Sequence, residues 1–348
     1  MNKSDLLKHV GSIQQVAYVR PVTYTEGRSS GLKAFDVKNN KMSFRVLADK
    51  CLDISEFSYA GINFSFMSKP GLQGLAHYDT NGSEAQRSIM GGLFFTAGLE
   101  NIGGPCNSNN MDFPMHGRIR TTPAEHISSD AFWDGDNYKI KISGEMREAM
   151  LFGENLTLRR SIETSLNSDS FTLTDEFENL AFRDEPLMLL YHINLGYPFL
   201  SENTKFYIPS KSLTPRNSDA EGHESEFNIM NPPKDNEPEY VFFHDIKSDN
   251  NLNTHVLAVN PELNLGFKIS WNTKNLPYFI QWKSIASGDY VVGLEPANSL
   301  VHGRKWYEDN HNIHKLPSLK SEKNILSFSV LDGDNKIRDA LNQFSALA

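Results

Sequence analysis

The chain has 348 residues, 39% of them hydrophobic and 22% charged, with 34 basic against 43 acidic side chains and a net charge of −9. That is enough apolar material for a sizeable core and excludes a disordered chain. No Lys/Arg run exceeds two residues, which argues against a nucleic-acid partner, and no apolar run approaches the roughly 18 residues of a membrane span.

The N-terminal stretch MNKSDLLKHVGSIQQ lacks the apolar region of a signal peptide. Its only periodic feature is a short helical pattern over Leu6–Ile13. Two cysteines, Cys51 and Cys106, make neither a disulfide framework nor a zinc cluster, so a cytoplasmic location is expected. Alternation with a period of two then dominates the chain. Ile140, Ile142, Gly144 and Met146 follow a turn signal at Asp134–Gly135. Phe171 and Leu173 alternate with Thr172 and Thr174, as on a half-solvated strand. The polar stretch Asn217–Glu239, with Asn231–Pro232–Pro233, predicts a long loop, after which strand-like sequence resumes. Asn260–Pro261 marks a turn before Leu265, Phe267, Ile269 and Trp271, which share one strand face. Leu326, Phe328 and Val330 repeat the pattern. Past Asp332–Gly333, the spacing of Ile337, Leu341, Phe344 and Leu347 predicts a helix over about 334–347.

Strands and helices do not alternate, so a doubly wound α/β fold is excluded and a mainly β fold of large antiparallel sheets is expected. One domain over 1–348, with segment 1–14 and the C-terminal helix peripheral, accounts for the length and for the 22 Phe and 12 Tyr.

The pairs Gly91–Gly92 and Gly103–Gly104 lack the Lys–Ser/Thr that follows a phosphate loop. Neither G-x-S-x-G nor H-E-x-x-H occurs. Three stretches place polar groups in apolar surroundings. FPMHGRIR carries His116 and Arg118 around Gly117; it reads as a ligand-contacting loop or as an ordinary surface turn. LMLLYHINLGYPFL buries His192, as a general acid or as a neutral core histidine. YVVGLEPAN ends an apolar strand at Glu295, before Pro296; that carboxylate reads as a general base or as an edge residue at a turn.

Taken in order, these stretches resemble the aldose 1-epimerase (galactose mutarotase) superfamily, and within it the DUF4432-type, aldose-epimerase-like proteins. LADKCLDISEFSYAGINFSFMS (47–68), GGLFFTAGLENIG (91–103), GEMREAMLFGENLTLRR (144–160) and WKSIASGDYVVGLEP (282–296) add to the likeness, which spans roughly residues 15–332. The resemblance implies a galactose mutarotase-like β-supersandwich with a carbohydrate cleft on one face. It implies His192 as general acid, Glu295 as general base and His116 as a second sugar-site histidine. The family's usual His-Gly-Gly is here His116–Gly117–Arg118, which adds a fixed positive charge and makes an acidic or modified sugar a candidate substrate.

The expected activity is mutarotation, the interconversion of sugar anomers, an isomerase reaction needing no metal or cofactor. The base takes the proton of the C1 hydroxyl while the acid protonates the ring oxygen from the opposite side. Asn101, Trp282 and Lys283 are further candidate substrate contacts, with core packing the alternative for Trp282. Glu100 and Arg183 lie in similar contexts without an assigned role. His302, His311 and His314 cluster in a polar stretch without metal-ligand spacing and read as a loop. Two other readings keep the fold: an isomerase or lyase acting on a keto-sugar or sugar acid, and a non-catalytic carbohydrate-binding protein. The sequence leaves the oligomeric state open.

Overall fold

The computed structural model describes residues 2–75 and 82–347; Met1, 76–81 and Ala348 lie outside the described residues. Two large antiparallel sheets dominate it. The 11-stranded sheet runs, edge to edge, through Ala17–Thr23, Lys33–Asn39, Met42–Leu47, Asp53–Tyr59, Phe94–Leu99, Met188–Leu195, Asp289–Ala297, Tyr278–Ala286, Tyr240–Ile246 and Ser210–Pro215, with Ile62–Asn63 pairing off this path. The eight-stranded sheet runs Glu125–Asp134, Asn137–Ala149, Asn155–Ser165, Ser170–Asn179, Ser321–Asp332, Leu265–Asn272, Asn253–Asn260 and Lys205–Tyr207. The fold is the expected mainly β sandwich.

The alternating residues do what their period requires. Ile140, Ile142 and Met146 are buried between the sheets with Phe171, Leu173, Phe267, Phe328 and Val330. Phe171 and Phe328 stack at 4.6 Å and 9°, and Phe94 from the facing sheet lies 6.0 Å from Phe328 at 8°. Each such side chain contributes about 1.5–3 kcal/mol by leaving water. The C-terminal helix Asp334–Ser345 lays Ile337, Ala340, Leu341 and Phe344 on Leu257, Val259 and Leu331.

Two segments differ from the sequence reading. The N-terminal helix is confined to Lys3–Leu7 and buries no residue, so nothing extends it towards Ile13. A short helix, Arg304–Asp309, forms within the histidine-rich stretch expected as loop. Its i,i+4 pairs, Arg304–Glu308 at 2.7 Å and Lys305–Asp309 at 2.9 Å, support the turn. No helix among the described residues is long and apolar enough to cross a membrane.

A buried polar cluster joins the sheets. Arg160 donates to Asp175 (2.8 and 2.6 Å), to Asp53 (2.7 Å), to the Cys51 carbonyl (2.9 Å) and to Thr96 (2.8 Å). The Tyr191 hydroxyl donates to Asp175 at 2.8 Å. Asp53, Thr96 and Tyr191 belong to the larger sheet, Arg160 and Asp175 to the smaller. The cluster therefore pins the strand that carries the neighbouring His192.

The other face of the larger sheet carries a second apolar cluster, with Phe95, Met188, Leu190, Ile280 and Ala297 from the strands and Met90, Ile102 and Tyr307 from the segments above them. The candidate site lies on this face.

Candidate functional site

His192 and Glu295 stand on neighbouring antiparallel strands. Leu190 lies opposite Ala297 and Ile193 opposite Leu294, a register that sets His192 beside Glu295. Phe95 lies opposite His192 on its other side, and the two rings stack at 4.4 Å and 20°. His192 Nε2 is 3.1 Å from Glu295 Oε1. That oxygen is buried and accepts no hydrogen bond. The acid and base expected on opposite sides of a sugar thus touch each other directly.

Asn194, two residues on and on the same strand face, fixes the histidine tautomer. Its Nδ2 donates to the Gly91 and His192 carbonyls at 3.3 and 2.9 Å. Its Oδ1 is left to accept from His192 Nδ1 at 2.7 Å. The ring proton therefore sits on Nδ1, and Nε2 presents a lone pair to Glu295. Burial pushes the Glu295 carboxyl well above its usual range, reinforced by Glu239 and opposed by Arg216. Burial lowers the His192 imidazole to about 4. Both shifts favour the neutral forms, the carboxylic acid of Glu295 and the neutral imidazole of His192.

Gly293 makes room for the carboxyl. A Cβ there would overlap Glu295 Oε1 and lie 3.1 Å from Trp282 Cβ.

His116 completes a group of three rings, 5.7 Å from His192 at 84° and 5.8 Å from Phe95. Its backbone has φ 58°. The His116 amide donates to the Gly103 carbonyl at 3.0 Å, and its own carbonyl accepts from the Gly98 amide at 3.0 Å. Gly117, at φ 70°, lies against the Gly98 carbonyl, where any Cβ would overlap the oxygen; this explains the His-Gly dipeptide. His116 Nδ1 accepts from the Gly103 amide at 3.4 Å, so its proton sits on Nε2 as a neutral donor. Burial, with His192, Arg120 and Arg216 nearby, holds its imidazole well below the usual range.

Trp282 lies 5.2 Å from His192 at 70°, and its Nε1 donates to Glu239 at 2.8 Å. Three other candidates are engaged elsewhere. Lys283 follows Trp282 on a strand and so faces the opposite side. Its ammonium, lowered to about 8 by burial, donates to the Glu226 carbonyl at 3.0 Å and to Asn231 at 2.9 Å, anchoring the 217–239 excursion. Arg118 pairs with the buried Glu100 and donates to the Asp112 carbonyl at 3.0 Å. Asn101 is fully buried. It donates to the Gly104 and Pro114 carbonyls at 3.0 and 2.9 Å and accepts from the Arg304 amide at 2.8 Å, so it braces the loop that carries His116. Arg183 pairs with Glu185 at 2.6 Å.

Phe95, Asn194, Arg216 and Glu239 escaped the sequence reading. For Asn194 the signal was present, a polar residue in phase with His192; Arg216 and Glu239 flank an irregular excursion with no period to read. His302 lies against Trp306 and Phe243 (4.5 and 5.3 Å), whereas His314 pairs with Glu322 at 2.9 Å. Among the described residues, Glu125, His126 and Glu145 do bring ligand atoms together, but Arg147 and Arg159 already engage the Glu145 carboxylate at 3.0 and 3.1 Å.

The family described as a domain of unknown function, DUF4432, matches residues 29–330. No curated protein matches the chain. Among solved structures, a proposed aldose 1-epimerase from Klebsiella pneumoniae subsp. pneumoniae is similar, with TM-score 0.90 at 21% identity, covering 100% of this chain and 91% of that one. A galactose mutarotase-like protein from Clostridium acetobutylicum gives 0.65 at 13%, covering 91% and 99%. The galactose 1-epimerase of Lactobacillus acidophilus NCFM gives 0.57 at 13%, covering 91% and 100%. At these identities the likeness establishes the fold.

Proposed function

We propose, from the premise that this chain belongs to the DUF4432 family, that it is an aldose 1-epimerase-like isomerase working through Glu295 and His192. The observation that carries the reading is the 3.1 Å contact between His192 Nε2 and Glu295 Oε1 in a buried, ring-lined site. A binding protein has no use for a buried acid and imidazole in contact, since such a pair costs desolvation.

Ring opening needs one proton taken from the C1 hydroxyl and one given to the ring oxygen. The resting pair holds its proton on Glu295. Transfer along the contact gives carboxylate and imidazolium, the form in which Glu295 is the base and His192 the acid. Ring closure on the other face of C1 returns both protons, so each group acts once in each sense. Neutral His116 supplies a donor from Nε2 to a hydroxyl or to the ring oxygen, and the indole of Trp282 offers an apolar sugar face a surface. The proposal treats residues 1–348 as one carbohydrate-active unit.

The test is saturation-transfer NMR on a panel of neutral and acidic aldoses, which reads anomer exchange directly. Faster exchange with enzyme than without supports the reading. No acceleration for any sugar of the panel refutes it.

A further inference from the structure

The positive charge expected of Arg118 is neutralised by Glu100, but another arginine stands at the site. Arg216 follows the strand Ser210–Pro215, and its amide donates to the Val241 carbonyl at 2.9 Å. Its Nη2 donates to Glu239 Oε1 at 2.9 Å, while Glu239 Oε2 accepts from Trp282 Nε1 at 2.8 Å. Trp282 in turn meets His192 edge-on at 5.2 Å. A continuous chain of contacts thus runs from Arg216 to the His192–Glu295 pair. The interval is spanned by the Glu239 carboxylate and one indole.

Arg216 is 31% exposed and Glu239 46%, so their ion pair sits at the rim and is weak enough to exchange partners. Among the described residues Arg216 Nε and Nη1 make no other hydrogen bond. The charges that act on the site residues are Arg216 and Arg120 on His116, and Glu239 and Arg216 on Glu295. Arg216 is the charge that acts on both His116 and Glu295. Arg120 is tied to Ser88, at 3.4 Å to its carbonyl and 3.2 Å to its hydroxyl, which leaves Arg216 as the guanidinium placed to meet a ligand. Glu239 would repel a phosphate dianion about twice as strongly as a monoanion at the same distance. A single carboxylate fits the remaining donors and leaves the Glu239 contact in place.

We infer that Arg216, held by Glu239, is a specificity residue that reads the carboxylate of a uronic acid, an aldose oxidised at its terminal carbon. This inference rests on the proposed mutarotase reading for its reaction and on the rim geometry for its ligand. The experiment compares D-glucuronic and D-galacturonic acids with D-glucose and D-galactose by exchange NMR, on the full chain and on Arg216→Gln and Arg216→Lys. A lower KM is expected for the acids. Loss of a charge-assisted contact should raise that KM roughly 10- to 100-fold in Arg216→Gln, at least ten times more than for the neutral sugars, with partial recovery in Arg216→Lys. Equal use of acidic and neutral sugars, an equal effect of Arg216→Gln on both, or loss of the acid preference in Arg118→Ala instead would overturn the inference. Calorimetric titration of Glu295→Gln with D-glucuronate separates the two levels. Binding that depends on Arg216, without anomer exchange of any sugar in the unsubstituted chain, would keep the inference and refute the mutarotase reading. Neither binding nor exchange would refute both.

Discussion

His192 Nε2 and Glu295 Oε1 lie 3.1 Å apart, across two neighbouring antiparallel strands whose register sets the two side chains side by side. Because the two groups touch, they should work as a unit. His192→Gln and Glu295→Gln should each lower anomer exchange by about 10²- to 10⁴-fold. The double substitution should cost little more than either alone. Saturation-transfer rates on all three proteins check this; multiplicative losses would mean that the groups act independently.

The same pair sets the pH profile. Activity needs one proton on the pair. It should fall on the acid side near pH 4, where His192 Nε2 takes up a second proton. On the alkaline side it should fall only as pH passes the raised value of Glu295. The expected kcat/KM profile is a broad plateau through neutrality. A sharp optimum with its acid limb near 6.5 would show a histidine titrating as if in water.

Much of this architecture is legible in the sequence. The period of two identified the strands because a sandwich buries one face of each, and Leu265 to Trp271 and Leu326 to Val330 went where their spacing sent them. His192 and Glu295 stood out because a charged or polar group inside an apolar run has few reasons to be there. What local pattern could not show was pairing at a distance. Arg160 meets Asp53 across 107 residues, and Glu100 neutralises Arg118 from another loop. Lys283 was a parity error: next to Trp282 on a strand, it had to face away.

Gly293→Ala should disable the site without unfolding it. The added Cβ would overlap Glu295 Oε1, the far end of a flexible side chain, and crowd Trp282 Cβ at 3.1 Å, so the carboxyl must leave while the neighbouring strand gives by a few tenths of an ångström. Anomer exchange should fall at least tenfold while Tm stays within a few degrees. Unchanged exchange would show that the carboxyl need not be where it is.

Buried histidines make stability depend on pH. Burial lowers His192 and His244 each from 6.5 to about 4, and lowers His116 and His255 as well. Between those values the unfolded chain takes up protons that the folded chain refuses. Stability is therefore full above pH 6.5 and lost as pH falls towards 4, by about 3 kcal/mol for each of His192 and His244. Urea unfolding at pH 7.5, 5.5 and 4.5 should show the decline, and His244→Gln should flatten it. Parallel declines in the two proteins would rule His244 out as a source.

The polar cluster beneath the site gives the largest expected loss of stability. Arg160 and its partners Asp53 and Asp175 are fully buried, and each carboxylate is met by a guanidinium nitrogen within 2.7 Å. Asp175→Asn leaves Arg160 paired with Asp53 and loses the charge-assisted hydrogen bonds of the second carboxylate, so it should lower stability by about 1.5–3 kcal/mol. It also removes the anionic acceptor of Tyr191, the residue before His192. Arg160→Met should be worse, because it leaves two carboxylates facing each other without a cation. Replacing all three with apolar residues of similar volume should recover much of the loss, since the desolvation of the charges disappears with them. Urea unfolding of the single and triple variants distinguishes the cases. A triple variant less stable than Arg160→Met would mean that the cluster is needed for the sheets to find their register, and not merely tolerated between them.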